Sequence, residues 1–247
     1  MAARLCYPWR GAVMTYLVFD EHAAQYDAWF MDNLNILTSE VLLVSAILGQ
    51  PGRTLSIGCG SGLFEDLLRR HHGIDIREGI EPSEAMAAIA RKRGMTVIPG
   101  TAEQLPCPDA AYDTVMLNGS PSYIDDLHAA FREAHRVLRP GGHLVVVDVP
   151  AESSYALLYK LAAALGSWDH PVLRDVRPAT PYPVEFAAAA HWRTTGEKVA
   201  MLEGAGFAGF EYMQTLTRHP LHSDETAEEP SQGFDRGDYV AIRAHKV

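Results

Sequence analysis

A glycine-rich turn between an apolar run and a helix-compatible stretch is the feature that most constrains the fold of this chain. Residues 54–57 form the short run, Gly58, Gly60 and Gly62 follow, and the helix-compatible stretch begins at Leu63. The pattern predicts a strand, a tight turn and a helix. Glycine is needed where the backbone turns sharply or approaches a ligand without a Cβ, and the first N–H groups of a helix are free to bind polar groups. A nucleotide-like cofactor is therefore expected at this turn.

The spacing of the glycines narrows the choice of cofactor. The dinucleotide-binding pattern G-x-G-x-x-G needs a third glycine, but that position is Leu63 when counted from Gly58 and Glu65 when counted from Gly60. A P-loop needs Gly-Lys followed by Ser or Thr, and no such sequence follows the turn. The pattern that remains, G-x-G-x-G, favours neither a dinucleotide nor a nucleoside triphosphate.

An acidic residue stands at the end of the second predicted strand. Residues 75–80 are predicted to form this strand, and Glu81 follows it, 19 residues beyond the last glycine of the turn. In nucleotide-binding α/β folds, an acid at this place accepts hydrogen bonds from ribose hydroxyls. Pro82 comes next, and Ser83 is a suitable N-cap for a helix that contains Met86. The sequence therefore predicts a ribose-binding carboxylate at Glu81.

Two later segments complete an ordered set of motifs. Residues 97–106 read Val-Ile-Pro-Gly-Thr-Ala-Glu-Gln-Leu-Pro, and residues 132–147 read as a helix, a Pro-Gly-Gly turn and an apolar strand. Together with the glycine turn and Glu81, they resemble the motifs of class I S-adenosylmethionine-dependent methyltransferases, of the type that acts on small molecules. The resemblance covers residues 54–149 and implies S-adenosyl-L-methionine as cofactor and S-adenosyl-L-homocysteine as product.

The resemblance also implies the fold class. It is α/β, a Rossmann-like, doubly wound, mostly parallel seven-stranded sheet with a final antiparallel strand, plus an N-terminal helical segment and a lid insertion. Periodicity and turn residues predict strands near 53–57, 75–80, 95–98, 112–118, 143–149, 208–216 and 237–244. Helices are predicted at 34–48, at about 153–166 and from 194 to about 204.

The whole chain, residues 1–247, is expected to form a single methyltransferase domain. Four parts are distinguished within it: a disordered start (1–13), an N-terminal cap (20–50), a substrate lid (151–193) and a mobile acidic loop (221–236). Met1 and Met14 are both considered as the natural start.

The resemblance assigns the cofactor site to residues near the carboxyl ends of the strands, where ligands bind in open α/β sheets. These residues are Tyr26, Ser56, Gly58, Cys59, Gly60, Gly62, Glu81, Pro82, Met86, Thr101, Ala102, Glu103 and Asn118. Ser56 stands where the family usually has Asp or Glu, and Thr101 where it often has Asp. Cofactor binding is therefore expected to be weaker, or another group is expected to compensate.

The acceptor side of the site is less defined. Trp29, Tyr123 and His191 are expected to face the substrate, with ordinary packing or surface exposure as the alternative, and no catalytic residue is assigned. Aromatic side chains are frequent in the lid: Tyr155, Tyr159, Trp168, Tyr182 and Phe186. They favour an apolar or amphipathic small-molecule acceptor. Alternatively they attach the lid to its own domain or to a second subunit, so a homodimer stays open.

Composition excludes several classes of function. The formal net charge of −10 argues against a nucleic-acid substrate, and no apolar run reaches the ~18–20 residues of a membrane span. Three scattered cysteines without metal-ligand spacing suit a reducing compartment, so the chain is expected to be cytoplasmic and to hold no metal. Two alternatives stay open, a cofactor-binding protein without transfer activity and a non-methylating enzyme on the same fold; a nicotinamide oxidoreductase ranks third.

Overall fold

A sheet of eight strands forms the centre of the computed structural model, which describes residues 12–247 and the side chains from residue 16 onward. The strands are β1 Thr54–Ile57, β2 Glu78–Ile80, β3 Thr96–Ile98, β4 Tyr112–Asn118, β5 Leu138–Asp148, β6 Phe207–Thr215, β7 Ser231–Gln232 and β8 Tyr239–Lys246. Their order in the sheet is β3-β2-β1-β4-β5-β8-β6-β7. Strands β1 to β5 are parallel to one another, and β8 is antiparallel to both β5 and β6.

Helices precede the sheet and alternate with its strands. They are α1 Ala12–Glu21, α2 Ala23–Asp32, α3 Leu34–Leu48, α4 Leu63–Leu67, α5 Glu84–Lys92, α6 Leu127–Val137, α7 Ser154–Leu165, α8 Val184–Ala189 and α9 Thr195–Gly204. Helix α9 begins with a capping box, in which Thr194 and Glu197 each accept a backbone N–H at the first turn. Ser83 accepts the N–H of Met86 at 3.2 Å, so its prediction as the N-cap of α5 is confirmed.

The predicted fold class, including the antiparallel final strand, is confirmed, but the predicted number of strands is wrong by one. The additional strand is β7, a two-residue edge strand that pairs with β6 inside the segment predicted as a loop. Two residues are too few to produce the alternation that identifies a strand in a sequence. Strand β5 also begins earlier than predicted, at Leu138, because the Pro-Gly-Gly turn lies in an irregular stretch of the β4–β5 pairing.

Two apolar cores cover the two faces of the sheet. Val115 and Leu117 of β4 pack with α6, whereas Met116 between them belongs to the core that contains α3. Successive side chains of a strand point to opposite faces, and a parallel strand buried on both faces is apolar throughout. This explains the continuous apolar run of β4, which helices cover from both sides.

Aromatic contacts connect the N-terminal helices to the segment 151–193. Trp29 donates from Nε1 to the Thr180 carbonyl at 3.0 Å, and the ring of Phe19 stacks on Phe186 with 4.8 Å between centroids. These rings attach the segment to its own chain. The functions of cap and lid stay predictions, and so does the single-domain organisation.

The remaining segment predictions concern the ends of the described region. The sequence predicts disorder for residues 1–13. Residues 1–11 lie outside the described residues, and α1 begins at Ala12. In the segment 221–236, Asp224 accepts the backbone N–H groups of Asn35 and Ile36 at 2.8 and 3.0 Å, at the start of α3. The predicted mobility of this segment stays a prediction.

No single helix within residues 12–247 is long and apolar enough to cross a membrane. Helices α2 and α3 reach the length and composition of a span only when taken together, and the chain bends by 98° between them. No group of three or more His, Cys, Asp or Glu side chains in this part of the chain is arranged to hold a metal ion.

Candidate cofactor and acceptor site

The three glycines after β1 have different roles, although all three have positive φ angles, between 54° and 69°. A Cβ on Gly58 would lie 2.6 Å from Ser120 Cβ, and one on Gly62 would lie 2.7 Å from Met95 Sδ. A Cβ on Gly60 would meet no atom within 4 Å. Packing therefore requires glycine at the outer two positions. The middle one borders open space, where a ligand can approach the backbone closely.

Glu81 lies beside this turn with its carboxylate held by two backbone donors. Oε2 accepts the Gly60 N–H at 2.8 Å, and Oε1 accepts the Ser83 N–H at 2.9 Å. Burial raises the pKa of Glu81 to about 7, although these two hydrogen bonds lower it. Each oxygen keeps acceptor capacity, so the carboxylate can still accept hydrogen bonds from two adjacent hydroxyls.

Ser56 has a partner that the sequence prediction did not identify. Its Oγ donates to Glu65 Oε1 at 2.6 Å, and both side chains are buried. Burial raises the pKa of Glu65 above its usual value, against the hydrogen bond from Ser56. Glu65 belongs to α4 and is the residue that breaks the dinucleotide pattern. An acid thus lies next to the position where the first strand has serine.

One cavity, with about 1320 Å³ of space that is partly open to solvent, contains most of the predicted site. It extends from the glycine turn past the ends of β2, β4 and β5 to the aromatic side chains of the segment 151–193. The predicted residues that line it are Tyr26, Trp29, Gly58, Gly60, Glu81, Pro82, Met86, Thr101, Ala102, Glu103, Asn118 and Tyr123.

Four predicted residues do not line the cavity, and the reasons differ. Ser56 is buried within β1, Gly62 is buried at the end of the turn, and Cys59 packs in a small apolar cluster with Met95 and others. His191 has 44% of its side chain exposed, and its Nε2 lies 2.7 Å from Asp125 Oδ1. The predicted position of His191 facing the substrate receives no support from this geometry and stays a prediction.

Glu40 is the functional candidate that the sequence prediction missed. It is the one charged residue of α3, only 7% exposed, and it lines the cavity. Burial raises its pKa to about 8, and no described residue forms a hydrogen bond with its carboxylate. A single acid in an otherwise uncharged helix was the available signal, but sequence alone does not show which face of the helix meets a cavity.

Tyrosines surround this part of the cavity. Burial raises the pKa of Tyr26, Tyr159 and Tyr239 well above the usual value, and the charge of Glu40 adds to the effect on each. Tyr239 Oη donates to Asn118 Oδ1 at 3.0 Å. The carboxylate and these rings therefore occupy one region, next to the end of β4.

A second acid in the cavity wall is neutralised within the protein. Asp148, at the end of β5, is buried with its Oδ2 2.9 Å from Lys198 Nζ, and Ser122 Oγ donates to the same oxygen at 2.8 Å. The described part of the wall contains five acidic residues: Glu40, Glu81, Glu103, Asp125 and Asp148. It contains no Lys or Arg from residues 16–247. The cavity is therefore suited to cationic rather than anionic ligands.

The strand order and the position of the cavity define a class of protein. A glycine turn after β1 and an acid after β2, both at the carboxyl ends of parallel strands, are typical of α/β proteins that bind a nucleoside-containing cofactor. The family described as "Methyltransferase domain" matches residues 55–146.

Similar proteins identify the family over a longer part of the chain. The ubiquinone/menaquinone biosynthesis C-methyltransferase UbiE of Caulobacter vibrioides is 31% identical over 216 residues, 77% of this chain and 82% of that protein. The crystal structure of a Thermotoga maritima S-adenosylmethionine-dependent methyltransferase, described as a possible histamine N-methyltransferase, is 32% identical. The two structures align with a TM-score of 0.80, and the alignment covers 94% of this chain and 100% of the Thermotoga chain. The chain belongs to the class I S-adenosylmethionine-dependent methyltransferase family.

A further relative matches nearly the whole chain without indicating a substrate. An uncharacterized protein of Methanocaldococcus jannaschii is 28% identical over 230 residues, 93% of this chain and 99% of that protein.

Proposed function

We propose that this chain transfers the methyl group of S-adenosyl-L-methionine to a small, apolar or amphipathic acceptor and releases S-adenosyl-L-homocysteine. The observation that carries the proposal is that one cavity contains both the Gly60–Glu81 corner and an aromatic wall. The corner suits the cofactor, and the wall suits an apolar acceptor, because small-molecule pockets are mostly apolar with a few fixed polar groups.

The cofactor would extend along the strand ends. Its ribose hydroxyls would donate to Glu81, whose oxygens already accept two backbone N–H groups. Pro82 and Met86 would flank the adenosine, and residues 101–103 would meet the adenine edge. The methionine end would pass Gly60 and reach Tyr26.

Methyl transfer itself needs little catalytic machinery from the protein. The sulfonium already activates the methyl group, so an in-line displacement mainly requires a nucleophile positioned near the methyl carbon and the exclusion of water. Buried aromatic rings such as Tyr159 and Tyr239 supply a dry wall for this step. The cofactor site of this proposal requires no metal.

The setting of the enzyme is part of the proposal. We infer a cytoplasmic protein, because its three cysteines are scattered and suit a reducing compartment, and we infer no membrane span, because the apolar runs are short. A small molecule rather than nucleic acid is the proposed acceptor, because the net charge is −10 and the cavity wall is acidic. A homodimer and a single domain with cap, lid and acidic loop complete the proposed organisation.

Calorimetric titration with S-adenosylmethionine, S-adenosylhomocysteine and NAD in parallel tests the cofactor. Binding of the first two alone is expected, and Glu81→Ala should weaken it by about 1–3 kcal/mol through the lost ribose hydrogen bonds. Preferential binding of NAD would instead favour an oxidoreductase.

Product analysis tests the reaction. Incubation with a panel of small acceptors, histamine included because of the name of the Thermotoga relative, is expected to release S-adenosylhomocysteine in step with methylated product. Methylthioadenosine as product would favour a non-methylating enzyme. Cofactor binding without turnover of any acceptor would favour a binding protein.

A further inference from the structure

We propose that the acceptor is a small basic amine, held as an ammonium ion by the Glu40 carboxylate within the aromatic wall and deprotonated by that carboxylate before transfer. This inference rests on the proposed methyl transfer and adds the chemical class of the acceptor. It also assigns a catalytic residue, which neither the sequence motifs nor the comparisons identify.

The Glu40 carboxylate has neither a hydrogen-bond donor nor a cation as partner among the described residues. Its side chain is more than nine-tenths buried, reaches the cavity wall, and has no hydrogen bond from any described residue. A buried carboxylate without a partner is strongly unfavourable, whereas pairing with a cation recovers much of the lost hydration. Asp148 in the same wall has such a partner in Lys198, but Glu40 has none from the described chain. A cationic ligand would supply it.

Aromatic rings line the same cavity as the Glu40 carboxylate. Tyr26, Tyr159 and Tyr239 line the same cavity as Glu40, and its charge adds to the rise in the pKa of each. Faces of aromatic rings attract ammonium groups through the negative potential over the ring. A carboxylate surrounded by rings binds an alkylammonium group through charge and binds its carbon skeleton through apolar contact.

Two molecules could supply the ammonium group that pairs with Glu40. The cofactor carries one on its methionine end, and the acceptor could carry the other. Helix α3 packs against β5, β6 and β8, and Tyr239 of β8 reaches Asn118 at the end of β4. The acids next to the glycine turn are instead Glu81, which accepts the Gly60 N–H, and Glu65, which accepts the hydroxyl of Ser56. Tyr26, which the proposed cofactor reaches, is affected by the charges of both Glu40 and Glu65. We therefore assign Glu40 to the acceptor, and the variants below test the cofactor ammonium as the alternative.

The chemistry balances with this one carboxylate. An ammonium ion has no free electron pair, so it must lose a proton before it can attack. Glu40 accepts that proton and becomes a neutral acid, which leaves a neutral amine. The nitrogen pair then forms a bond to the methyl carbon, the carbon–sulfur bond breaks, and its electron pair stays on sulfur. The products are a methylated ammonium ion and the neutral thioether S-adenosylhomocysteine. Because burial raises the pKa of Glu40 to about 8, it is a better proton acceptor than a carboxylate in water.

The test compares amines with compounds that carry another reacting group. The amines are 2-phenylethylamine, histamine and an aliphatic primary amine, and 2-phenylethanol and phenylacetate are the matched controls for 2-phenylethylamine. S-adenosylhomocysteine release is measured, together with binding of each compound to the S-adenosylhomocysteine-loaded chain. At least one amine is expected to bind and to be methylated, whereas the alcohol and the carboxylate are not.

Variants test the role of the carboxylate. Glu40→Gln should lower kcat/KM for the amine, and its affinity for the loaded chain, by about 30-fold or more, with the Kd of S-adenosylhomocysteine changed less than about twofold. That unchanged Kd also shows that the variant is folded. Glu185→Gln, at an exposed position of α8, is the matched control and should leave both quantities unchanged.

Three outcomes would overturn the inference. Turnover of the alcohol or carboxylate in preference to every amine would leave the proposed methyl transfer standing but exclude the amine. Equal weakening of amine and S-adenosylhomocysteine binding in Glu40→Gln would assign Glu40 to the cofactor ammonium. Failure of every amine to bind the loaded chain would exclude an ammonium site, whereas failure of the cofactor itself to bind would refute the proposed function first.

Discussion

The buried carboxylate of Glu40 should make the chain less stable as the pH rises, and Glu40→Gln should remove this effect. Glu40 has its ordinary pKa of 4.5 in the unfolded chain and a pKa of about 8 in the folded one. The folded state therefore holds the proton more tightly. The stability that the protonated form contributes is fully present below pH 4.5 and is lost as the pH rises to about 8.

The size of this effect follows from the pKa difference. Each pH unit between the two pKa values corresponds to about 1.4 kcal/mol. From about pH 5.5 to about pH 8.5, the wild type should therefore lose about 3 kcal/mol of unfolding free energy relative to Glu40→Gln. Glu81 and Asp238, with pKa values raised by burial to about 7 and about 6, titrate over part of the same range. Their contributions cancel in the difference between the two proteins when the sites act independently.

Urea unfolding at several pH values measures this difference, with tryptophan fluorescence as the signal because Trp29 and Trp168 are buried. The cofactor must be absent, since binding would stabilise the folded state. Glu185→Gln, on the surface, serves as control and should follow the wild type at each pH. A difference between wild type and Glu40→Gln that stays constant across the range would refute the reasoning, because Glu40 would then ionise alike in both states.

The pKa of Glu81, the packing of the glycine turn and the Lys198–Asp148 pair each predict a measurable effect. Because burial raises the pKa of Glu81 to about 7, wild-type affinity for S-adenosylhomocysteine should fall as the pH drops below 7, and Glu81→Gln should abolish this pH dependence in calorimetry; a flat wild-type profile would contradict it. Gly60→Ala should lose cofactor affinity with only about 1–2 kcal/mol of destabilisation, whereas Gly62→Ala, whose Cβ would overlap a neighbouring side chain, should destabilise more in urea unfolding; equal destabilisation with intact binding would argue against a ligand at the middle glycine. Lys198→Met should lower the unfolding free energy by about 3–5 kcal/mol at neutral pH, because Asp148 stays buried without its partner; a loss below about 1 kcal/mol would mean that the aspartate does not depend on this pair.

Several of the predicted cofactor residues line one cavity because each is at, or a few residues after, the carboxyl end of a strand. Gly58, Glu81, Thr101 and Asn118 are distant in the chain, but each lies near the carboxyl end of a strand of the parallel sheet. In such a sheet these ends lie at one edge, so local pattern and strand order together bring the residues into one cavity.

Three features of the site could not be predicted in the same way. Glu40 is on a helix, and its exposure to the cavity depends on how α3 packs against β5, β6 and β8, which no local pattern specifies. The contact of Ser56 with Glu65 depends on the direction of a side chain at the start of α4. His191 is directed to the surface by Asp125, which precedes it by 66 residues. In each of these cases the decisive interaction joins parts of the chain whose relative orientation appears only in three dimensions.

The position of β8 has a consequence for the order in which the chain folds. β8 lies between β5 and β6, so β6 and β7 connect to the rest of the sheet only through it. Pairs such as Val146 with Ile242 join positions almost a hundred residues apart, and closing so long a loop slows folding. During synthesis, the strands that hold the glycine turn and Glu81 emerge well before β8 is available. The hydrogen bond from Tyr239 to Asn118 can form only then, so an incomplete chain lacks the part of the cavity wall that Tyr239 contributes.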